Sequence, residues 1–116
     1  MSLPRLARPE EPPLPATLLP ALRAVSDPTR FHILTLLLQG EHCVCEITAQ
    51  LGLPQNLASH HLRTLKKAGL VCDRRDQRDH RWIHYSLNRE KLRELFTAGL
   101  ALFGNANVPE RVANCE

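Results

Sequence analysis

Three apolar runs at helical spacing, punctuated by glycine and proline, constrain this chain more than any other feature of its sequence. Asp27-Pro28 sets a capping carboxylate before a proline at the first helical position, and Phe31, Leu34, Leu37 and Leu38 follow until Gly40. That spacing predicts a helix over about 28–39. Ile47 and Leu51 mark a helix of roughly two turns that Gly52 stops. Pro54 can open the next helix at its first turn, which runs to Ala68 with Leu57, Ala58, Leu62 and Leu65 facing inward and ends at Gly69. Two short helices joined through Gly52-Leu53-Pro54 have the spacing of a helix-turn-helix.

At 116 residues the chain is long enough for one domain with a modest core, and a domain of this size often finishes burying its apolar surface against a second copy. Leu18, Leu22 and Val25 form a shorter stripe, so a first helix is expected over about 16–25. Upstream, six prolines within Met1–Pro20 and no continuous apolar segment exclude a secretory signal. Residues 1–15 read as a flexible proline-rich arm, 16–104 as the folded domain and 105–116 as a flexible tail. Four cysteines without a regular framework, and no apolar stretch of membrane-spanning length, argue for a soluble protein of a reducing compartment, the cytoplasm.

After Gly69, residues 70–73 and 81–87 read as strands, with Ile83, Tyr85 and Leu87 alternating inward and Asp76-Gln77-Arg78-Asp79-His80 connecting them. A hairpin in this position is a wing. Asn88 caps a last helix whose apolar positions Leu92, Leu95, Phe96, Gly99, Leu102 and Phe103 recur every three or four residues, the pattern of a core or dimer face. The expected fold is mainly α with a small β-hairpin, a winged helix-turn-helix that works as a homodimer.

In such a fold the second helix of the pair lies in the major groove of duplex DNA. Its outward face carries Gln55, Asn56, Ser59, His60 and Arg63, with Lys66 and Lys67 one turn on, groups that pair with base edges or phosphates. Arg74, Arg75, Arg78 and Arg81 cluster at the wing, where they could reach phosphates or a narrow minor groove. Residues 54–91 hold nine Lys or Arg against four acids although the whole chain carries only +3, so positive charge concentrates where DNA would lie. On charge alone an ordinary solvated face is the slightly favoured reading. No Ser, His and acid arrangement and no paired carboxylates suggest an active site, so an enzyme is not expected.

Cys43-Val44-Cys45 places two thiols immediately before the helix pair. At a helix start, unpaired backbone N–H groups and the positive dipole end favour thiolate, the form that binds metal. Residues two apart on a regular helix point roughly 200° apart, so one ion can hold both sulfurs only if the first turn is loosened or the pair lies in the preceding loop. Two buried apolar fillers flanking Val44 would be the bland alternative. Cys72, on the first wing strand, is expected to be such a filler. His60 is a candidate DNA contact, His61 and His84 are expected to pack, and His42 could assist Cys43.

Taken in order, Asp27-Pro28-Thr29-Arg30, Cys43-Val44-Cys45-Glu46-Ile47, residues 57–71 (LASHHLRTLKKAGLV) and residues 82–87 (WIHYSL) resemble the ArsR/SmtB family of metal- and metalloid-responsive repressors, from about Ala21 to Phe103. The resemblance implies a homodimer joined through its first and last helices that leaves a palindromic operator when its effector binds. Arsenic-sensing members often add a third Cys three residues after the Cys-x-Cys pair, and Thr48 stands there instead. Arsenite prefers three thiolates, so a further sulfur is needed, and Cys115 in the tail is the first choice. The zinc site that other members build on the last helix needs His and Asp, which 89–103 lacks, and the N-terminal cysteine pair of some cadmium and lead sensors is missing from 1–20. The expected effector is therefore As(III) or Sb(III), held by Cys43, Cys45 and Cys115, with Cd(II) or Pb(II) as the alternative. A thiol redox or reactive-sulfur switch is a second possibility, expected to need a distant partner such as Cys115 because a Cys-x-Cys disulfide should be strained. A non-sensory interaction module is the reading from another class.

Overall fold

Local signals explain most of the element boundaries. A computed structural model describes residues 16–104 and residue 110 and orders them as α1 (Leu18–Val25), α2 (Pro28–Leu37), β1 (His42–Cys43), α3 (Val44–Leu51), α4 (Gln55–Lys67), β2 (Val71–Arg75), β3 (Ile83–Leu87) and α5 (Arg89–Gly99), with a π-helical turn at Leu100–Gly104. The Asp27 side chain accepts the Arg30 N–H at 3.0 Å, capping α2 with Pro28 inside its first turn. Arg30 then reaches back, its Nε donating to the Ala24 carbonyl at 2.7 Å and its Nη1 lying 3.3 Å from His61 Nδ1, so one side chain ties α1, α2 and α4 together. Gly52 and Gly69 terminate α3 and α4 with φ of 65° and 81°, a left-handed backbone that a Cβ would strain. Asn88 caps α5 through the Lys91 N–H.

The core is the meeting of α2, α3 and α4 with the sheet. Ile33, Ile47, Leu62, Leu65 and Leu70 are fully buried there, with Val71 and Tyr85 closing the sheet side. Helix α4 turns Ala58, His61, Leu62 and Leu65 inward. Leu57, expected inside, is 39% exposed: it lies in the first turn of α4, whose buried positions are Ala58, His61, Leu62 and Leu65. His61 is thus a packing residue, as the sequence suggests. In α1 the buried positions are Leu18, Ala21 and Ala24, whereas Leu22 is exposed together with Leu19.

The sheet holds one strand more than the expected hairpin. Its order is β1-β3-β2, all antiparallel, with His42 opposite Tyr85 and Cys43 opposite His84 on one side of β3, and Val71 to Arg75 opposite Leu87 to Ile83 on the other. Cys72 is correspondingly exposed with a free thiol, not a buried filler: Val71 faces the core, and its neighbour must face the other way on a pleated strand. The proposed arm at 1–15 lies outside the described residues, as does the tail at 105–116 apart from Glu110.

Candidate nucleic-acid interface and thiol site

Helix α4 leaves a continuous polar face. Gln55, Asn56, His60, Arg63, Lys66 and Lys67 are exposed and Ser59 is half-buried, while Leu62 and Leu65 anchor the opposite face in the core. Lys66 is partly spent, its Nζ 2.9 Å from Asp73 on β2. Among the described residues Arg63 and Lys67 have no ion-pair partner, which leaves their charge available to phosphates or base edges.

The wing is held by its own acids. Asp76 accepts the backbone N–H groups of Arg78 and Asp79 at 2.9 and 2.8 Å and lies 3.3 Å from His84 Nε2, and Asp79 takes a two-point contact from Arg81. Arg75 donates to the His80 carbonyl at 2.6 Å, and Arg74 grips Glu41 through two bonds of 2.8 and 2.6 Å. Arg78 has no side-chain partner among the described residues. Of the wing cations, Arg78 is therefore the one without a side-chain partner among the described residues, whereas Arg74, Arg75 and Arg81 are engaged locally.

These contacts lower the carboxyl pKa of both wing acids below the ordinary value of 3.8, Asp76 chiefly through the Asp79 N–H and Asp79 chiefly through Arg81. A depressed carboxyl stabilises the fold above the unfolded-state value and loses that contribution as pH falls through the folded one. The wing turn should accordingly hold down to the ordinary carboxylate range and loosen below about pH 4. Trp82, the chain's single tryptophan, reports it, because its carbonyl accepts from Asp76 N–H and its N–H donates to the Asp79 carbonyl. Its emission should be flat from about pH 8 to 5 and change below about pH 4, ahead of the far-ultraviolet helix signal. A flat trace until global unfolding contradicts this.

The thiol pair sits where β1 becomes α3. Cys43 is the extended N-cap residue of α3, with φ −80° and ψ 164°, and Cys45 lies one residue inside the helix. Because Cys43 is off the helical path, the opposed directions expected of two helical residues do not apply, and the two sulfurs converge. They are joined as a disulfide with Cα atoms 5.4 Å apart. That Cα separation lies within the disulfide range because the Cys43 backbone is extended. Cys43 Sγ also accepts the Glu46 N–H at 3.4 Å while Glu46 Oε1 accepts the Cys43 N–H at 3.0 Å. A cysteine here fills the place of the serine in a capping box, and an anionic sulfur would be stabilised by that N–H and the helix start.

His42, offered as an auxiliary ligand, is buried with Nδ1 2.7 Å from the Gly40 carbonyl. Thr48, where a third cysteine could stand, turns its hydroxyl onto the Cys45 carbonyl at 2.9 Å. No cluster of three or more metal-ligating side chains forms among the described residues, and Cys115 lies outside them. Beside Cys45 opens a groove of about 490 Å³ between α3, α4 and β3. It is lined by Val44, Ile83, Tyr85 and Trp82 together with Thr48, Gln55, Ser59 and Arg81. Burial pushes the Tyr85 phenol up, with Asp73 adding to the effect, so it stands there as a neutral donor.

Residues 27–72 match the family described as bacterial regulatory protein, arsR family. An uncharacterized HTH-type transcriptional regulator of Methanocaldococcus jannaschii is 42% identical over 74 residues, which cover 63% of this chain and 80% of that one. The chain belongs to the ArsR family. The arsenical resistance operon repressor of Escherichia coli is 38% identical over 57% of the chain and 55% of its own length, and a cadmium resistance regulator, the CadC homolog of Staphylococcus aureus, is 38% identical over 63% and 59%. The chain thus spans little more than half of these two relatives. A crystal structure of a possible transcriptional regulator for arsenical resistance superposes with a TM-score of 0.63 at 31% identity, covering 72% of this chain and 83% of that one. The protein is accordingly a winged helix-turn-helix transcription regulator of the ArsR family, not an enzyme. No described helix is long and apolar enough to cross a membrane.

The sequence missed β1, and with it the link from the thiols to the wing. A two-residue strand is too short to show alternation, and the Glu41–Arg74 pair spans 33 positions. One signal was legible, the Cys43 to Glu46 spacing of a capping box.

Proposed function

We propose that this ArsR-family regulator is a homodimeric repressor released from operator DNA when a trivalent metalloid, arsenite or antimonite, binds the thiolates of Cys43 and Cys45, with Cys115 as the third sulfur. The observation that carries the reading is the convergence of two sulfurs at the start of α3. That position touches both DNA-facing elements: α3 packs on α4, and the Cys43 strand pairs with β3, which leads out of the wing. Closing the pair around one atom would reset the α3 cap and shift the two readers together. A coupling of about 1–3 kcal/mol suffices for a roughly 5- to 150-fold loss of operator affinity.

In this reading Gln55, Asn56, Ser59, His60, Arg63 and Lys67 meet the major groove, and Arg75, Arg78 and Arg81 meet the backbone beside it. Pairing of two copies through α1 and α5 is supported by a shared apolar surface: Leu19, Leu22, Phe96, Leu100 and Phe103 are all exposed, Phe103 by 81%. Such a surface is costly on a lone copy, and a twofold pair would set two α4 helices on one palindrome.

Fluorescence anisotropy of an operator duplex against reduced protein, titrated with arsenite, antimonite, cadmium, lead and zinc, tests the effector. Release by the trivalent ions at the lowest concentrations is expected, with cadmium and lead weaker and zinc inert. A flat response to all five contradicts a metal sensor. The joined sulfurs favour a second reading, in which oxidation of the same pair is the signal. It predicts release by peroxide or persulfide in the absence of any ion.

A further inference from the structure

We propose that a cleft between the ends of α1 and α4 grips the DNA backbone through Arg23, giving each protomer a second phosphate clamp at the opposite end of α4 from the wing. It deepens the operator-binding reading above and rests on it, adding a contact that neither the polar face of α4 nor the wing supplies. The cleft has a volume of about 260 Å³ and is lined by Arg23 and Ala24 of α1, Arg30 of α2, and Thr64 and Lys67 of α4. Three cations line it and no acid does. Asp27, which caps α2 through the Arg30 N–H, is not part of its wall.

The place of the cleft along α4 points to DNA. Thr64 and Lys67 also border a second basic depression, with His60, Arg63 and Lys66, on the polar face assigned to the major groove. The cleft is therefore continuous with that face. The wing meets α4 at its other end, where Gln55 and Ser59 share a groove with Arg81 and Trp82. A helix in the major groove has a sugar-phosphate strand on each side, so a reader clamped by the wing alone is held on one side only. Cations at a helix C-terminus are ordinary in themselves, because they offset the partial negative charge of the last carbonyls. Arg30 serves α1 in that way, its Nε donating to the Ala24 carbonyl at 2.7 Å and its Nη2 lying 3.5 Å from the Arg23 carbonyl. Arg23 and Lys67 are not so used. Both are exposed in the last turns of their helices, and among the described residues neither side chain donates to a carbonyl or pairs with a carboxylate. Three positive charges around one cleft repel one another, and backbone phosphates supply the missing counter-charge.

The test uses the reduced full-length chain and a duplex that the protein itself selects from a random pool. Arg30 is left intact because it ties three helices together. Arg23→Ala should weaken binding roughly eightfold per half-site at about 0.1 M salt and lower the salt slope by about one unit per contact. The loss should be equal on selected and scrambled duplexes, since a phosphate carries no sequence information. Arg23→Lys should restore most of the affinity, and Arg93→Ala, which removes an exposed cation of α5, should change nothing. The deciding measurement replaces single phosphates by neutral methylphosphonates. One position should cost affinity in the unmodified chain and cost nothing further in Arg23→Ala. Unchanged affinity and slope in Arg23→Ala overturn the clamp while operator binding stands. A loss that leaves every methylphosphonate position as sensitive as before overturns it too, as does a loss that sedimentation traces to weaker pairing of two copies. If the unmodified protein binds no selected duplex, the operator-binding reading itself fails and the clamp falls with it.

Discussion

Leu62→Ala is expected to destabilise the domain by about 2–5 kcal/mol in equilibrium denaturation. Leu62 is fully buried on the inner face of α4, between α2 and α3, and its loss leaves a cavity that fixed helices cannot close. Small domains have only about 5–15 kcal/mol to lose, so much of the population would unfold near physiological temperature. Leu57→Ala, five residues earlier on the same helix, is the contrast. Its side chain is 39% exposed, and the expected cost is under about 1 kcal/mol. Equal costs at the two positions would mean that α4 is rotated from the orientation described, and the polar face assigned to DNA would rotate with it.

The second large effect is on DNA. Arg63 stands exposed in the middle of that polar face, and among the described residues nothing neutralises it. If it reads a base edge, Arg63→Ala costs about 1–3 kcal/mol at each half-site, at least roughly 30-fold for a dimer on a palindrome, and relaxes the preference at that base. Arg78→Ala at the wing tip should behave differently. Phosphate contacts weaken binding to all sequences alike and reduce the salt dependence by about one unit of slope per contact. Anisotropy at several salt concentrations, on operator and scrambled duplexes, separates the two. Identical behaviour of the two variants would remove the distinction between a reading helix and a positioning wing.

The helices were legible because capping and stop residues are local: Asp27-Pro28, Gly52 and Gly69 fix their ends whatever the tertiary context. The polar face of α4 was legible for the same reason, as helical periodicity assigns it. Leu57, in the first turn of the helix, is exposed although its spacing pointed inward, while His61, one turn on, is buried beside Arg30 from 31 positions away. Cys72 was misplaced because the inward alternation of the second wing strand says nothing about the phase of the first until the register is known. For the thiols, spacing alone left their directions open. The extended backbone of Cys43, held by its pairing with His84 and its exchange of hydrogen bonds with Glu46, is what turns the two sulfurs toward each other.

That convergence also ties the thiols to the wing. Cys43 and Arg74 both lie opposite His84 on β3, Glu41 bridges to Arg74, and His84 contacts Asp76, the residue that organises the wing turn. A change at the α3 cap therefore has short physical routes to both α4 and the wing.

The most direct test of the sensor assignment is arsenite-induced release of reduced protein from an operator duplex, measured by anisotropy for the unmodified chain and for Cys43→Ser and Cys45→Ser. Serine keeps the size and capping capacity of cysteine, so both variants should bind DNA as before and hold it at arsenite concentrations that release the unmodified protein roughly 5- to 150-fold. Release of both serine variants at the same arsenite concentration as the unmodified protein would contradict the account.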